Sequence, residues 1–152
     1  MQVTRRQARE WAIQMLTAAD LNPVDDIDVF IAGFWAQRDT LDEEDGGESG
    51  RIGGKMRTFA EDRVRGVLSE LAAIDAKLTP LLDGWDLPRL GTIERAVLRM
   101  GAWEIDRCSD IPAAVVINEA IDLVNWFSSP RSRTLVNGVL DRYAKGRDRV
   151  EG

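Results

Sequence analysis

Asp110–Tyr143, DIPAAVVINEAIDLVNWFSSPRSRTLVNGVLDRY, decides the fold class. It reads as two consecutive helices joined by a Ser/Pro turn. In the first, Ile117, Ala120, Ile121, Val124 and Phe127 recur at the spacing of one helical face, and Asn118, Glu119, Asp122 and Asn125 fall outside it. In the second, Val136, Val139, Leu140 and Tyr143 repeat the pattern. Pro112 lies just inside the first helix, with Asp110 a candidate cap. Ser129-Pro130 opens the second, Ser as N-cap and Pro at the first helical position. Each helix has one apolar stripe, so the rest of the chain must cover them.

Working outward, Thr4 to about Ala19 predicts a first helix. Thr4 and Gln7 fit a capping box. Ala8, Ala12, Met15 and Ala19 line one face, widened by Trp11 and Leu16. Arg5, Arg6 and Arg9 lie off that face, in opening turns whose dipole prefers acids; each such placement costs a few tenths to about 1 kcal/mol. Two readings stay open: solvated surface arginines, or a seat for an anion. Asn22-Pro23 ends the helix. A second is expected from about Val24 to Gln37, with Val29, Phe30, Gly33 and Phe34 inward. Arg38–Arg57 is acidic and glycine-rich and reads as a mobile surface loop; a recognition loop, a longer second helix or a disordered insert stay open, and the sequence sets no boundary.

From Phe59 the pattern is regular: Val64, Val67, Leu68, Leu71, Ile74, Leu78, Leu81 and Leu82 predict one long helix, kinked or divided at Pro80 and stopped at Asp83-Gly84. Trp85–Pro88 is a connection. Thr92 to Arg107 predicts another helix, with Thr92 a candidate cap. Its broad surface of Ile93, Val97, Leu98, Met100, Gly101 and Ile105 suits a central element touched on several sides. Gly101 and Gly138, each unfavourable in a helix by about 1 kcal/mol, make sense where a neighbouring helix crosses closely. The tail, residues 145–152, is expected to fray. The sum is an all-α, single-domain bundle of six to seven helices over residues 1–152.

Such a length supports a real core. The formal net charge is −6, with much of the negative charge in Asp20–Asp28 and Asp39–Glu48. Arg5–Arg9 and Arg131–Arg133 are locally basic, so a phosphate-binding patch is compatible with an acidic whole. The chain has no histidine, which removes the commonest general base, and it has no GxxxxGK[ST] or GxGxxG loop. No enzyme, cofactor or metal site is expected. Cys108 is the single cysteine, which excludes an intramolecular disulfide and a multi-cysteine zinc site, and reads as a small apolar residue. This suits a reducing cytoplasm. No apolar run reaches the roughly 20 residues of a membrane span, and MQVTRRQAREW lacks the pattern of a secretory signal.

RRQARE (5–10), LPRLGTIERAVLRMGAWEI (87–105), DIPAAVVINEAIDLV (110–124) and LVNGVLD (135–141) together resemble the NusB transcription antitermination family. Order and spacing match along nearly the whole chain. The resemblance implies an all-helical, non-catalytic adaptor that binds boxA, a short, mostly single-stranded RNA of nascent ribosomal RNA transcripts. It would do so together with the ribosomal protein NusE, and load on RNA polymerase with other Nus factors. By the same resemblance, Arg5, Arg6 and Arg9 match the family's arginine-rich motif, with Gln7 where another arginine is common. Arg131 and Arg133 fall in the turn that joins the RNA surface, where acidic residues are common. Glu94 matches the region that holds NusE. Thr17 and Leu135 replace aromatic residues of the family, and Asn118 and Asn137 belong to its motif, as helix-internal hydrogen-bonders or as RNA readers. The alternative is a helical interaction or homodimerising module with weak RNA binding. A module of this kind also precedes a methyltransferase domain in some proteins; these residues hold no such domain.

Overall fold

The computed structural model describes residues 3–44, 53–127 and 129–151. Among them it is all-α: α1 Arg5–Leu21, α2 Ile27–Glu44, α3 Gly54–Ser69, α4 Leu71–Leu78, α5 Thr92–Arg107, α6 Ala113–Phe127 and α7 Pro130–Glu151, with short 3-10 turns at Thr79–Leu81 and Leu87–Arg89. None of these helices is long and apolar enough to cross a membrane. The chain divides into two compact units, Met1–Arg65 and Gly66–Gly152.

In the first unit, α1 opens on the expected capping box. Thr4 Oγ1 accepts from the Gln7 N–H at 3.2 Å, and the Thr4 N–H donates to Gln7 Oε1 at 3.1 Å. The helix buries Ala8, Trp11, Ala12, Ile13, Met15, Leu16 and Ala19. On α2 the inner face is set by Ile31 and Trp35, one turn apart, and not by the expected Val29 and Phe30; Val29 is 68% exposed. The indole rings of Trp11 and Trp35 meet edge to face at 5.2 Å, a favoured aromatic geometry, and that contact fixes the rotation of α2.

Of the readings left open for Arg38–Arg57, the longer second helix is the one found, and the loop is shorter than the composition suggests. Helix α2 continues to Glu44 and α3 begins at Gly54; the stretch between lies outside the described residues apart from Gly53. Two contacts explain the extension. The Arg57 guanidinium donates to both Asp39 oxygens at 3.3 and 2.7 Å, and it lies 4.6 Å from the Trp35 ring centre. A bidentate ion pair on an aromatic face stabilises both helix ends.

The long helix expected from Phe59 is broken earlier than at Pro80. Glu70 leaves the helical conformation (φ −117°, ψ 21°) and separates α3 from α4. Pro80 then turns the end of α4 into a 3-10 turn, and Asp83 (φ 51°) and Gly84 (φ 89°) stop it in the left-handed region.

In the second unit α5 is central and packs against α4, α6 and α7. Val97, Leu98 and Met100 are buried as expected, joined by Ala96 and Ala102. Gly101 has the predicted role: a Cβ there would stand 2.8 Å from Leu140 Cδ1 of α7. Gly138 does not; a Cβ there would meet only the Arg142 side chain of its own helix. Gly66 is the close approach that periodicity missed, with the Trp103 indole where its side chain would be. Pro112 precedes α6, its carbonyl accepting from Val115 and Val116. Of the expected α6 stripe, Ala120 and Val124 are buried, joined by Val116 and Leu123, whereas Ile117 and Ile121 are half-buried and the Phe127 side chain lies outside the described residues. Helix α7 buries Val136, Val139, Leu140 and Tyr143 as read from the sequence. It continues through the expected frayed tail to Glu151.

Candidate nucleic-acid interface

The residues singled out for RNA lie at the first turns of two helices, one in each unit. The start of α1 carries Arg5, Arg6 and Arg9. Gln7, which departs from the arginine pattern, is spent on the cap that fixes this first turn. Arg5 is exposed and Arg6 half-buried, but Arg9 is only 3% exposed. The Phe59 ring of α3 gathers two of them: the guanidinium carbons of Arg5 and Arg9 lie 5.5 and 5.2 Å from its centre, and that of Arg63 lies 3.3 Å away. Arg63 is buried, and its Nη1 donates to the Phe59 carbonyl at 3.2 Å. Three guanidinium groups gather at one ring, whose quadrupole offsets part of their mutual repulsion. Arg5 thus presents charge to solvent, and Arg9 helps build the platform beneath it.

At the start of α7, Pro130 sets the first helical position and Arg131, Ser132 and Arg133 follow. Arg131 and Arg133 are both exposed, but they do not share a face, because positions two apart on a helix diverge. Arg131 lies over the Trp85 ring, 5.4 Å from its centre. Arg133 lines a separate shallow concavity with Ile121, Pro130, Thr134 and Asn137. Asn118 and Asn137 are exposed. Ser132, between the arginines, is buried and donates its hydroxyl to Glu94 Oε1 at 2.7 Å.

Glu94 sits in the first turn of α5, where a carboxylate is favoured by the dipole. Its Oε2 lies where a side chain on Gly91 would stand, so a larger residue at 91 would displace the carboxylate. The carboxylate therefore ties the N-termini of α5 and α7 together while remaining half-buried. At Thr17, the hydroxyl turns back to the Gln14 carbonyl at 2.9 Å.

Two aromatic residues that organise these arginines were not singled out as site residues from the sequence. For Phe59 there was a signal: Arg63 follows at i+4, the spacing of a helical cation–aromatic pair. For Trp85, 46 positions before Arg131, there was none.

The NusB family model matches residues 6–145. A transcription antitermination protein NusB from Sorangium cellulosum (strain So ce56) is 36% identical over 147 residues, spanning 97% of this chain and 96% of that protein. Among solved structures, NusB of T. maritima aligns with a TM-score of 0.79 and 26% identity over 100% of both chains. A chain from a structure of the antitermination factors NusB and NusE in complex with double-stranded RNA aligns with a TM-score of 0.71 and 24% identity, over 93% of this chain and 96% of that one.

Proposed function

The chain belongs to the NusB family of transcription antitermination proteins, and from that premise we propose that it binds single-stranded boxA RNA of nascent ribosomal transcripts together with NusE. It is a non-enzymatic factor. Through that pair it reaches RNA polymerase and the other Nus factors, in the cytoplasm. The observation that supports this reading is the exposed positive charge at the first turns of α1 and α7 in a chain of net charge −6. A transcript needs cations that can meet phosphates, and an acidic remainder suppresses non-specific binding. Arg5, Arg6, Arg131 and Arg133 meet phosphates, Arg9 orients the first group from beneath, and Glu94 faces NusE. Two ligands on one protein raise each other's affinity by the same factor when their sites are coupled.

Titration of a fluorescent boxA oligoribonucleotide, with and without NusE and at two salt concentrations, tests this. Arg5→Ala combined with Arg131→Ala should flatten the salt dependence by about 1.4 in log–log slope, roughly 0.7 for each lost phosphate contact on a single strand. Arg9→Ala is a poor probe, because removing a buried cation disturbs the fold as well as the charge. Undetectable RNA binding under all conditions would favour the other reading, an interaction or homodimerising module. That reading draws on the internal engagement of Arg9 and Glu94.

A further inference from the structure

Trp85 is held out from the second unit by its own turn. Asp83 and Gly84 take left-handed backbone conformations, and the Trp85 N–H closes the turn on the Leu82 carbonyl at 3.0 Å. Leu82 and Leu87 on either side are buried, yet the indole between them is 47% exposed. A lone exposed apolar residue is ordinary. This one forms a wall shared by two concavities. The first, of about 140 Å³, also has Leu135 and Arg131 in its walls and Glu94 and Ser132 in its lining. The second, of about 440 Å³, is bounded by Arg131, Leu135 and Arg142.

The charge arrangement says what fits. The exposed guanidinium groups of Arg131 and of Arg89, which also pairs with Asp86 at 3.8 Å, stand beside the first concavity, and the Glu94 carboxylate lines it. A phosphate is attracted to those arginines and repelled by Glu94. A neutral planar group can enter where the phosphate cannot. Among the described residues that line it, the one large flat apolar face is the indole, and the Leu135 side chain supplies apolar contact beside it.

We infer that Trp85 is the surface on which an unpaired RNA base stacks, with Arg131 moving from the ring to the adjoining phosphate. The inference rests on the RNA-binding reading and names a residue that reading does not include. Stacking on an aromatic side chain is tolerant of base identity, so Trp85 supplies affinity for an unstacked strand and little sequence preference.

The test compares wild type, Trp85→Ala, Trp85→Phe and Trp85→Leu on a boxA oligoribonucleotide carrying 2-aminopurine at each position in turn. Wild type should quench the probe at one or two adjacent positions. Trp85→Ala and Trp85→Leu should lose that quenching and bind on the order of tenfold more weakly. Their salt slope should match wild type, because no phosphate contact is lost. Trp85→Phe should keep the quenching and most of the affinity. Arg131→Ala should do the reverse, flattening the slope. Circular dichroism checks that each variant is helical; the Leu and Phe variants carry the test if Ala fails to fold. Equal affinity and quenching in wild type and Trp85→Leu overturns this inference and leaves RNA binding standing. Absence of boxA binding by wild type overturns both.

Discussion

The two units treat their cations differently. In the first, several arginines lie against rings: Arg5, Arg9 and Arg63 at Phe59, Arg38 at Trp11, and Arg57 at Trp35, although Arg57 also pairs with Asp39 and Arg65 pairs with Asp28. In the second, most of the described cations meet carboxylates: Arg99 with Asp75, Arg107 with Glu70, and Lys77 and Arg147 with Asp106. A ring holds a guanidinium without neutralising it, so the positive charge is still felt by a ligand. A carboxylate cancels it. An arginine held on a ring and still exposed, such as Arg5, keeps positive potential for a partner; a carboxylate pair cross-links helices, as Arg57 and Asp39 also do in the first unit. Arg131, over Trp85, follows the first habit inside the second unit, and it stands at the start of α7, where RNA is proposed to lie.

The largest effect expected from this contrast is at Phe59. Phe59→Ala removes the ring that three arginines share and should cost about 3 kcal/mol, the lower end for loss of a buried aromatic because Phe59 is only half-buried. Phe59→Tyr should be much milder. Arg9→Ala should cost about 2 kcal/mol, whereas Arg131→Ala, at an exposed site, should stay within about 0.5 kcal/mol. Urea unfolding measures all four. If Arg9→Ala and Arg131→Ala cost the same, the ring-held arginines of the two units are alike and the distinction drawn at α1 collapses.

Next comes Tyr143, the chain's single tyrosine, which belongs to the carboxylate network of the second unit. Its hydroxyl donates to Asp106 Oδ2 at 2.5 Å. Burial first, and then the hydrogen bond to Asp106, push its phenol pKa above the ordinary range. A raised folded pKa means that the stabilisation is complete below the unfolded value near 10 and is lost as pH rises toward the folded one. Absorbance at 295 nm should therefore show no phenolate in the folded protein at pH 10.5, and its appearance should coincide with unfolding. Tyr143→Phe should cost about 2 kcal/mol near pH 7, as for a hydrogen bond to a charged group. Ser132→Ala, which removes the hydroxyl from Glu94, should cost about 1 kcal/mol.

Much of this was legible in the sequence, and the failures share a cause. The cap at Thr4 and Gln7, the buried face of α7 and the close crossing at Gly101 follow from local patterns that admit few alternatives. The register of α2 did not, because Val29, Phe30, Ile31 and Phe34 offer overlapping stripes, and only the contact of Trp35 with Trp11 chooses between them. The same ambiguity moved the α6 stripe from Ile117 to Val116. The acidic stretch looked like loop because composition does not reveal that Asp39 and Arg57 pair across it. For the site, sequence named the cations but not their supports. Burial of Arg9 depends on Phe59, 50 positions away, and the environment of Arg131 depends on Trp85. Such pairings are tertiary and carry no local signature.

The smallest expected effect tests the contrast at its weakest point, the break between α3 and α4. The Glu70 carboxylate pairs with the Arg107 guanidinium, and that hydrogen bond holds its pKa below the ordinary carboxylate value while raising that of Arg107. With the folded value depressed, the pair stabilises the protein above the unfolded value of about 4.3 and stops doing so as pH falls through the folded one. The pair is exposed, so screening keeps its contribution small. Acidification from pH 6 to pH 3 should therefore raise amide exchange, corrected for its intrinsic rate, at Glu70 and in the first turn of α4. The amides at the start of α1, held by the Thr4–Gln7 capping box, should keep their protection, since neither capping side chain titrates. Glu70→Gln should abolish the pH response at α4 and leave α1 unchanged. Loss of protection at both places together would mean that the start of α1 depends on carboxylates as much as the start of α4 does.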